Sequence, residues 1–255
     1  MISFSEAQIN GWIAGFVWPF IRMLALLGVA PVLGHRTVPV RVKVGLAFLF
    51  AILLAPTIQN GSQYAVASFD GLNLLVQQIL IGIAMGFTLR LIFAAVELAG
   101  EIIGTQMGLN FAGFFDPQTA QQGTPIGAWL GVMMTLVFLA LNGHLLVLYA
   151  LADSFRIIPI APNSISPDDW RRVVEVGAEL FRIGLYASLP VITAMLVCNI
   201  ALGVLGRIAP QLNVLAVGFS ITILVGFSVL LLALPMMGAF LQNSIMRGIE
   251  LMTLR

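Results

Sequence analysis

Three ionisable residues share one face of an apolar segment, and they are the part of the chain best suited to chemistry. Arg90, Glu97 and Glu101 follow one another at spacings of 7 and 4, which places them on one side of a helix. Ionisable groups inside a membrane helix indicate ion or proton movement, and paired carboxylates are also what a glycoside hydrolase requires. We favour mutual pairing, or pairing with a neighbouring subunit, because no nucleophile or sugar-binding group accompanies them. Arg22 allows the same two interpretations.

The sequence lacks the residue patterns that metal, disulfide, nucleotide and nucleic-acid sites require. The two histidines, His35 and His144, have no neighbouring ligands at zinc-binding spacing, and the one cysteine, Cys198, has no partner for a disulfide in this chain. No GxxxxGK[ST] phosphate loop is present. The net charge of +1 and the scattered basic residues argue against nucleic-acid binding. We therefore expect no catalytic residue, no metal, no cofactor and no nucleic-acid partner.

The composition indicates what kind of element must carry these residues. Hydrophobic residues make up 60% of the 255 and charged residues 9%, and the mean hydropathy is +1.03, whereas soluble domains carry about 25% charged residues. The start lacks the basic region of a cleavable signal peptide. An all-α protein that spans a membrane is predicted, with helices at roughly 12 to 33, 44 to 58, 72 to 96, 125 to 152, 184 to 206 and 212 to 241.

Proline and glycine modify that prediction. Six prolines interrupt apolar runs, so we expect kinked helices that pack against protein neighbours: Pro19, Pro31, Pro56, Pro190, Pro210 and Pro235. Glycines spaced by four allow close helix contacts, although a chain with 25 glycines also forms such pairs by chance, and we weigh the two alike for any single pair. These glycines are Gly11 and Gly15, Gly82 and Gly86, Gly127 and Gly131, and the triple Gly100, Gly104 and Gly108. The core Val44 to Ile58 is short for a span.

One stretch is typical of a helix in water. Ser166 to Asp169 resembles a capping box with Pro167 at the first helical position. Charged residues then recur at spacings of 4, 4 and 3 from Arg171 to Arg182, which allows ion pairs along one face.

Four longer segments carry a family resemblance. They are APVLGHRTVPVRVKVGLA from Ala30 to Ala47, TQMGLNFAGFFDPQTAQQGTPIG from Thr105 to Gly127, LVFLALNGHLLVLYALADSFRIIPI from Leu136 to Ile160, and GRIAPQLNVLAVGF from Gly206 to Phe219. The sequence closely resembles the FliR family, called SctT in virulence systems, of export-gate proteins. The matches cover most of the chain in the expected order.

The resemblance implies a position in a larger assembly. Members of this family join FliP and FliQ in a helical export gate on the bacterial inner membrane, within the flagellar basal body. It implies that residues 1–183 are FliP-like and that residues 184–255 form a FliQ-like helical hairpin. The residues of the hairpin turn would be Arg207, Pro210, Gln211 and Asn213.

The resemblance also implies a pore plug at residues 106–122. The residues of this plug would be Gln106, Met107, Gly108, Phe111, Gly113, Phe114 and Phe115. The phenylalanines would form a bulky seal and the glycines would allow the backbone to bend. The alternative is an aromatic-rich loop that anchors at the membrane interface. With the resemblance, we favour the plug.

These inferences predict a non-enzymatic core subunit of the flagellar type III export gate. Its partners would be FliP, FliQ, further export-apparatus proteins, membrane lipid and the unfolded polypeptides that pass through the channel. One alternative is the corresponding subunit of a virulence secretion system. Another is a small-solute or proton-coupled secondary transporter with Arg90, Glu97 and Glu101 as its coupling site, although the halves show no convincing internal repeat.

Overall fold

Helices form all the long elements in the part of the chain that the structure describes. The computed structural model describes residues 6–57, 66, 68–110, 123–162, 166–209 and 214–252. The helices are α1 (Glu6–Val29), α2 (Val40–Leu54), α3 (Phe69–Gln106), α4 (Pro125–Ala140), α5 (Gly143–Ile157), α6 (Pro167–Ile208) and α7 (Val214–Met252), with a 3₁₀ turn at Ala55–Thr57. The predicted all-α class is confirmed.

Local sequence explains where several helices begin. Pro39 precedes α2, and Pro125 and Pro167 occupy the first positions of α4 and α6, where proline costs no helical hydrogen bond. At α6, Ser166 Oγ accepts from the backbone N–H of Asp169 at 3.3 Å, and Asp169 Oδ2 accepts from the Ser166 N–H at 2.8 Å. The predicted capping box is confirmed. Two of the predicted ion pairs follow, Arg171 with Glu175 at 3.2 Å and Arg182 with Glu179 at 3.7 Å.

Among the described residues, fewer helices could cross a membrane than hydropathy predicted. Four of them are long and apolar enough to cross, and the broken pair α4 and α5 would make a fifth if it counts as one span. The prediction of one helix over 125–152 is wrong because Asn142 adopts a left-handed conformation with φ of 53°, which ends the helical path. Helix α2 has 15 residues, or about 22 Å, and is too short to cross about 30 Å of hydrocarbon.

Helices α3 and α6 extend well beyond their apolar windows. Helix α3 has 38 residues and ends before Gly108, whose φ of 82° is left-handed. Helix α6 has 42 residues and joins the polar segment after Ser166 to the fifth apolar run without a break. Prolines lie inside three helices, at Pro19, Pro190 and Pro235.

The chain packs as two compact units. Unit 1 comprises Met1–Leu91, Asn142–Gly177 and Met246–Arg255, and unit 2 comprises Ile92–Leu141 and Ala178–Ile245. The boundary inferred from the family resemblance, between residues 183 and 184, lies inside α6 and stays a prediction.

Small residues bring the helices of each unit together. In unit 1, a Cβ on Gly86 would lie 2.9 Å from Leu26 O, so α3 and α1 approach closely at that point. In unit 2, a Cβ on Gly100 would lie 2.5 Å from Gly127 Cα, and one on Gly184 would lie 2.9 Å from Ala95 O. Gly15, by contrast, has nothing within 4 Å. The glycine spacing therefore marks real contacts at α3 and α4, but not at Gly15 of α1.

Candidate functional site

Arg22 is fully buried in unit 1 and is bound by its own chain. Its Nε donates to Gln78 Oε1 at 2.8 Å, Nη1 to Ser154 Oγ at 2.9 Å, and Nη2 to the Ile158 carbonyl at 3.1 Å. Its guanidinium carbon lies 3.9 Å from the centre of the Phe155 ring. Helices α1, α3 and α5 therefore meet at one side chain.

The partners of Arg22 are neutral. It forms no ion pair with any carboxylate among the described residues, so neither Glu97 nor Glu101 compensates its charge. Hydrogen bonds from a charged donor stabilise by about 1.5–3 kcal/mol each, against a desolvation cost of several kcal/mol for a buried ion. Ser154 Oγ in turn donates to the Leu151 carbonyl at 2.6 Å, which fixes its lone pairs toward Arg22. This arrangement can hold three helices together, and all of its hydrogen-bond acceptors are uncharged.

Glu101 holds the beginning of helix α4 in unit 2. Both carboxylate oxygens accept from the backbone N–H of Thr124, at 2.7 and 2.9 Å. Thr124 is the N-cap of α4: its Oγ1 accepts from the Gly127 N–H at 3.0 Å and donates to the Gly100 carbonyl at 3.2 Å. A carboxylate at a helix N-terminus is stabilised by the helix dipole and by the unpaired amides of the first turn. Glu101 is thus bound by the backbone of α4.

Glycines in α4 make room for both glutamates. A Cβ on Gly127 would overlap Glu101 Oε1, and one on Gly131 would lie 3.0 Å from Glu97 Oε1. The spacing of four between the glutamates on α3 matches the spacing of four between the glycines on α4. The shared face predicted for Glu97 and Glu101 therefore lies against α4.

Arg90 has a different environment from the glutamates. It is exposed on α3 and forms no ion pair in the described ranges. Glu101 contacts the Thr124 backbone instead of Arg90, and the pairing of these charges with a neighbouring subunit stays a prediction. No group of three His, Cys, Asp or Glu side chains that could hold a metal occurs among the described residues.

The first part of the predicted plug, Gln106 to Gly108, lies at the end of α3 and is anchored in unit 2. The Met107 side chain is fully buried against Gly226 of α7, and the Met107 carbonyl accepts from Thr222 Oγ1 at 3.3 Å. The Phe219 ring lies about 3.5 Å from where a Cβ on Gly108 would be. Gln106 is exposed. The chain therefore leaves α3 from a fixed point on α7.

A second anchored point lies just before α4, at Gly123 and Thr124. Gly123 has a φ of 78°, and a Cβ at this position would overlap Glu101 Oε1. Thr124 follows, bound to Glu101 as described above. Left-handed glycines, Gly108 and Gly123, therefore lie on either side of residues 109–122, and each is next to a residue that is hydrogen-bonded to a packed helix.

Several predicted residues lie outside the described residues. They are Phe111, Gly113, Phe114 and Phe115 of the plug, and Pro210, Gln211 and Asn213 of the hairpin turn. Arg207 is described: it is exposed in the last turn of α6.

Sequence reasoning missed the groups that bind these charges. Gln78 and Ser154 are 56 and 132 residues from Arg22, and helical periodicity relates only residues within a few turns. Thr124 was detectable, because Thr-Pro after a glycine is a typical helix start and the spacing of Gly127 and Gly131 matches that of the glutamates.

Comparison with known proteins gives a consistent match along the chain. Residues 13–248 match the family described as bacterial export proteins, family 1. The chain is 42% identical over 243 residues to the flagellar biosynthetic protein FliR of Pectobacterium carotovorum, covering 95% of this chain and 93% of that protein. It is 40% identical to FliR of Escherichia coli K12, over the same shares of each chain, and 31% identical over 240 residues to FliR of Bacillus subtilis, covering 93% and 92%.

Proposed function

This chain belongs to the bacterial export proteins of family 1, and from that membership we propose that it is a gate subunit of the flagellar protein export channel. It is a component of the flagellar export apparatus and resides in the bacterial inner membrane. In the proposed gate it joins FliP-like and FliQ-like subunits around a path for unfolded polypeptides. Residues 1–183 take the FliP-like position, and residues 184–255 take the FliQ-like position.

The observation that carries this proposal is the anchoring of residues 109–122 at both ends. Met107 is packed on α7, and Thr124 is bound by Glu101. A gate for unfolded chains needs a barrier to water and ions that can yield, and we propose that the segment between these two anchors supplies it. Phe111, Phe114 and Phe115 fall in the segment between these anchors and form the proposed seal.

The contacts of the two carboxylates support a structural role in the channel and not a catalytic or proton-coupling role. Glu101 is bound by the α4 backbone, and Glu97 lies against Gly131. A hydrolase or a proton-coupled transporter would need these groups directed at a substrate or a water path. We therefore propose that the protein is not an enzyme and that its further partners are other proteins of the export machinery.

The test of the plug is a triple substitution with a matched control. Phe111→Ala, Phe114→Ala and Phe115→Ala together remove the proposed seal, so cells should become permeable to small ions and solutes. The control carries Phe69→Ala, Phe181→Ala and Phe227→Ala, which remove three exposed aromatic rings from helices. Conductance and growth in the presence of small toxic solutes are measured, and copurification with FliP and FliQ checks assembly.

Leakage in the plug variant alone, with the complex assembled, supports the seal. A plug variant that assembles and stays as tight as the parent contradicts it, and the aromatic residues then act as an interfacial anchor. Equal leakage in both variants would mean that loss of aromatic surface anywhere opens the complex. Complementation of a non-motile strain that lacks its own FliR distinguishes the flagellar from the virulence system.

A further inference from the structure

The segment that joins α1 to α2 carries a charge that the protein does not balance. Arg36, Arg41 and Lys43 lie within eight residues, and no Asp or Glu occurs from residue 7 to residue 69. Arg36 and Arg41 are exposed, and none of the three forms an ion pair with a carboxylate in the described ranges. These exposed charges are therefore available to an anionic group from outside this part of the chain.

The three basic residues lie in or just before the first turns of α2. Side chains on a helix tilt toward its N-terminus, so Arg41 and Lys43 in the first turns point back toward the loop that contains Arg36. Lys43 confirms this direction, because its Nζ donates to the Gly34 carbonyl at 2.7 Å. That acceptor is neutral and leaves the lysine charge uncompensated.

The rest of α2 is apolar and largely uncovered. Only Ala47 and Ala51 are buried, and the residues from Val44 to Leu54 contain no charged or polar side chain. Leu49 is 61% exposed and Leu53 69% exposed. The apolar part of the helix is about 16 Å long, close to the half of a hydrocarbon core of about 30 Å that one leaflet supplies.

This surface has a cationic end and an apolar column of one-leaflet length. We propose that it binds anionic phospholipid, with the phosphate held by Arg36 and Arg41 and the acyl chains lying along the exposed side of α2. Guanidinium groups bind phosphate oxygens in a bidentate manner, and aliphatic side chains such as Leu49 and Leu53 pack against acyl chains. A single phospholipid has an anionic headgroup followed by apolar acyl chains. This is the same order in which α2 presents its basic end and its apolar side.

Lipid retention by the full-length chain tests this proposal. The chain, with the subunits that copurify with it, is reconstituted in nanodiscs of phosphatidylcholine with phosphatidylglycerol and extracted into neutral detergent, and bound lipid is measured by native mass spectrometry. The parent should retain phosphatidylglycerol over phosphatidylcholine. Arg36→Gln with Arg41→Gln should reduce that preference about 30-fold, because each basic residue near anionic lipid contributes a factor of about five.

The control removes two other exposed arginines. Arg171→Gln with Arg182→Gln lowers the charge equally, but both residues have intrahelical glutamate partners, so the lipid preference should stay at the parent level. Higher salt should also weaken retention by the parent. Lys43 is left intact in all variants because its hydrogen bond to Gly34 shapes the loop.

Four results would overturn the proposal. One is equal retention of the two lipids by the parent, and another is an unchanged preference in the Arg36 and Arg41 variant. The third is loss of a copurifying subunit from that variant with lipid retention intact, which would make the surface a protein interface. Inorganic phosphate added during extraction should not displace the lipid, and if it does, the site binds a free anion and the lipid assignment is wrong.

Discussion

At the residue scale, Arg22 and Arg90 differ in the surroundings of their guanidinium groups. Arg22 has three neutral acceptors and a ring, while Arg90 is exposed. Arg22→Ala should destabilise the protein by about 3–5 kcal/mol, because it leaves a cavity and strands buried polar groups on α3 and α5. Arg90→Ala should change stability by about 0.5 kcal/mol or less. Thermal unfolding of the purified assembly measures both, and equal loss in the two variants would contradict a structural role for Arg22.

We also expect substitutions of Glu101 and of Glu97 to reduce export to different degrees. Glu101→Gln keeps one carbonyl acceptor for the Thr124 N–H but removes the charge from the start of α4, so export should fall only partly. Glu97→Gln should have a smaller effect, because Glu97 is exposed. Export of flagellar protein into the medium is measured at matched levels of assembled complex. Complete loss of export in both variants, with assembly intact, would instead indicate an ionised or proton-carrying carboxylate.

At the element scale, the contact between α3 and α4 depends on the absence of side chains. Gly127→Ala should push α4 away from α3 and cost about 1–3 kcal/mol, because its Cβ would meet the Glu101 side chain. Gly203→Ala is the control, since Gly203 on α6 has nothing within 4 Å. Protease resistance and thermal unfolding of the assembly report the difference. If the two variants unfold alike, α3 and α4 can separate at this contact without a loss of stability.

The elements also show how far the sequence alone could lead. The helical class and the start at Ser166 were predictable because each depends on residues near in sequence. The spacing of four between glycines indicated close contacts at Gly82, Gly86 and Gly100, but not which residues they meet. The break at Asn142 was missed because the hydropathy window passed over it, although the Asn142-Gly143 pair is a typical turn signal. The full lengths of α3 and α6 were missed because hydropathy marks only the apolar part of a helix, and both helices continue into polar sequence.

At the scale of the whole molecule, the helices differ in how much of their apolar surface the chain itself covers. In the most apolar window of α3, 61% of the window is buried by the chain itself. The corresponding share is 11% in α6 and 17% in α7. Exposed residues on these two helices include Val197, Ile200, Leu231 and Leu232, each at 60% or more. Apolar surface on this scale requires lipid or other subunits, and the prolines inside both helices leave backbone carbonyls that lipid cannot satisfy.

This imbalance predicts that the chain depends on its partners for stability. Expressed alone, it should be degraded or aggregate, because binding of other subunits to the folded state is what favours folding through mass action. Coexpression with a FliP-like subunit should restore a defined complex, and coexpression with an unrelated membrane protein of similar size should not. The level of full-length chain in membranes and its size-exclusion profile in mild detergent are measured. A stable, monodisperse monomer obtained without any partner would mean that lipid alone satisfies α6 and α7, and the gate-subunit proposal would lose its physical basis.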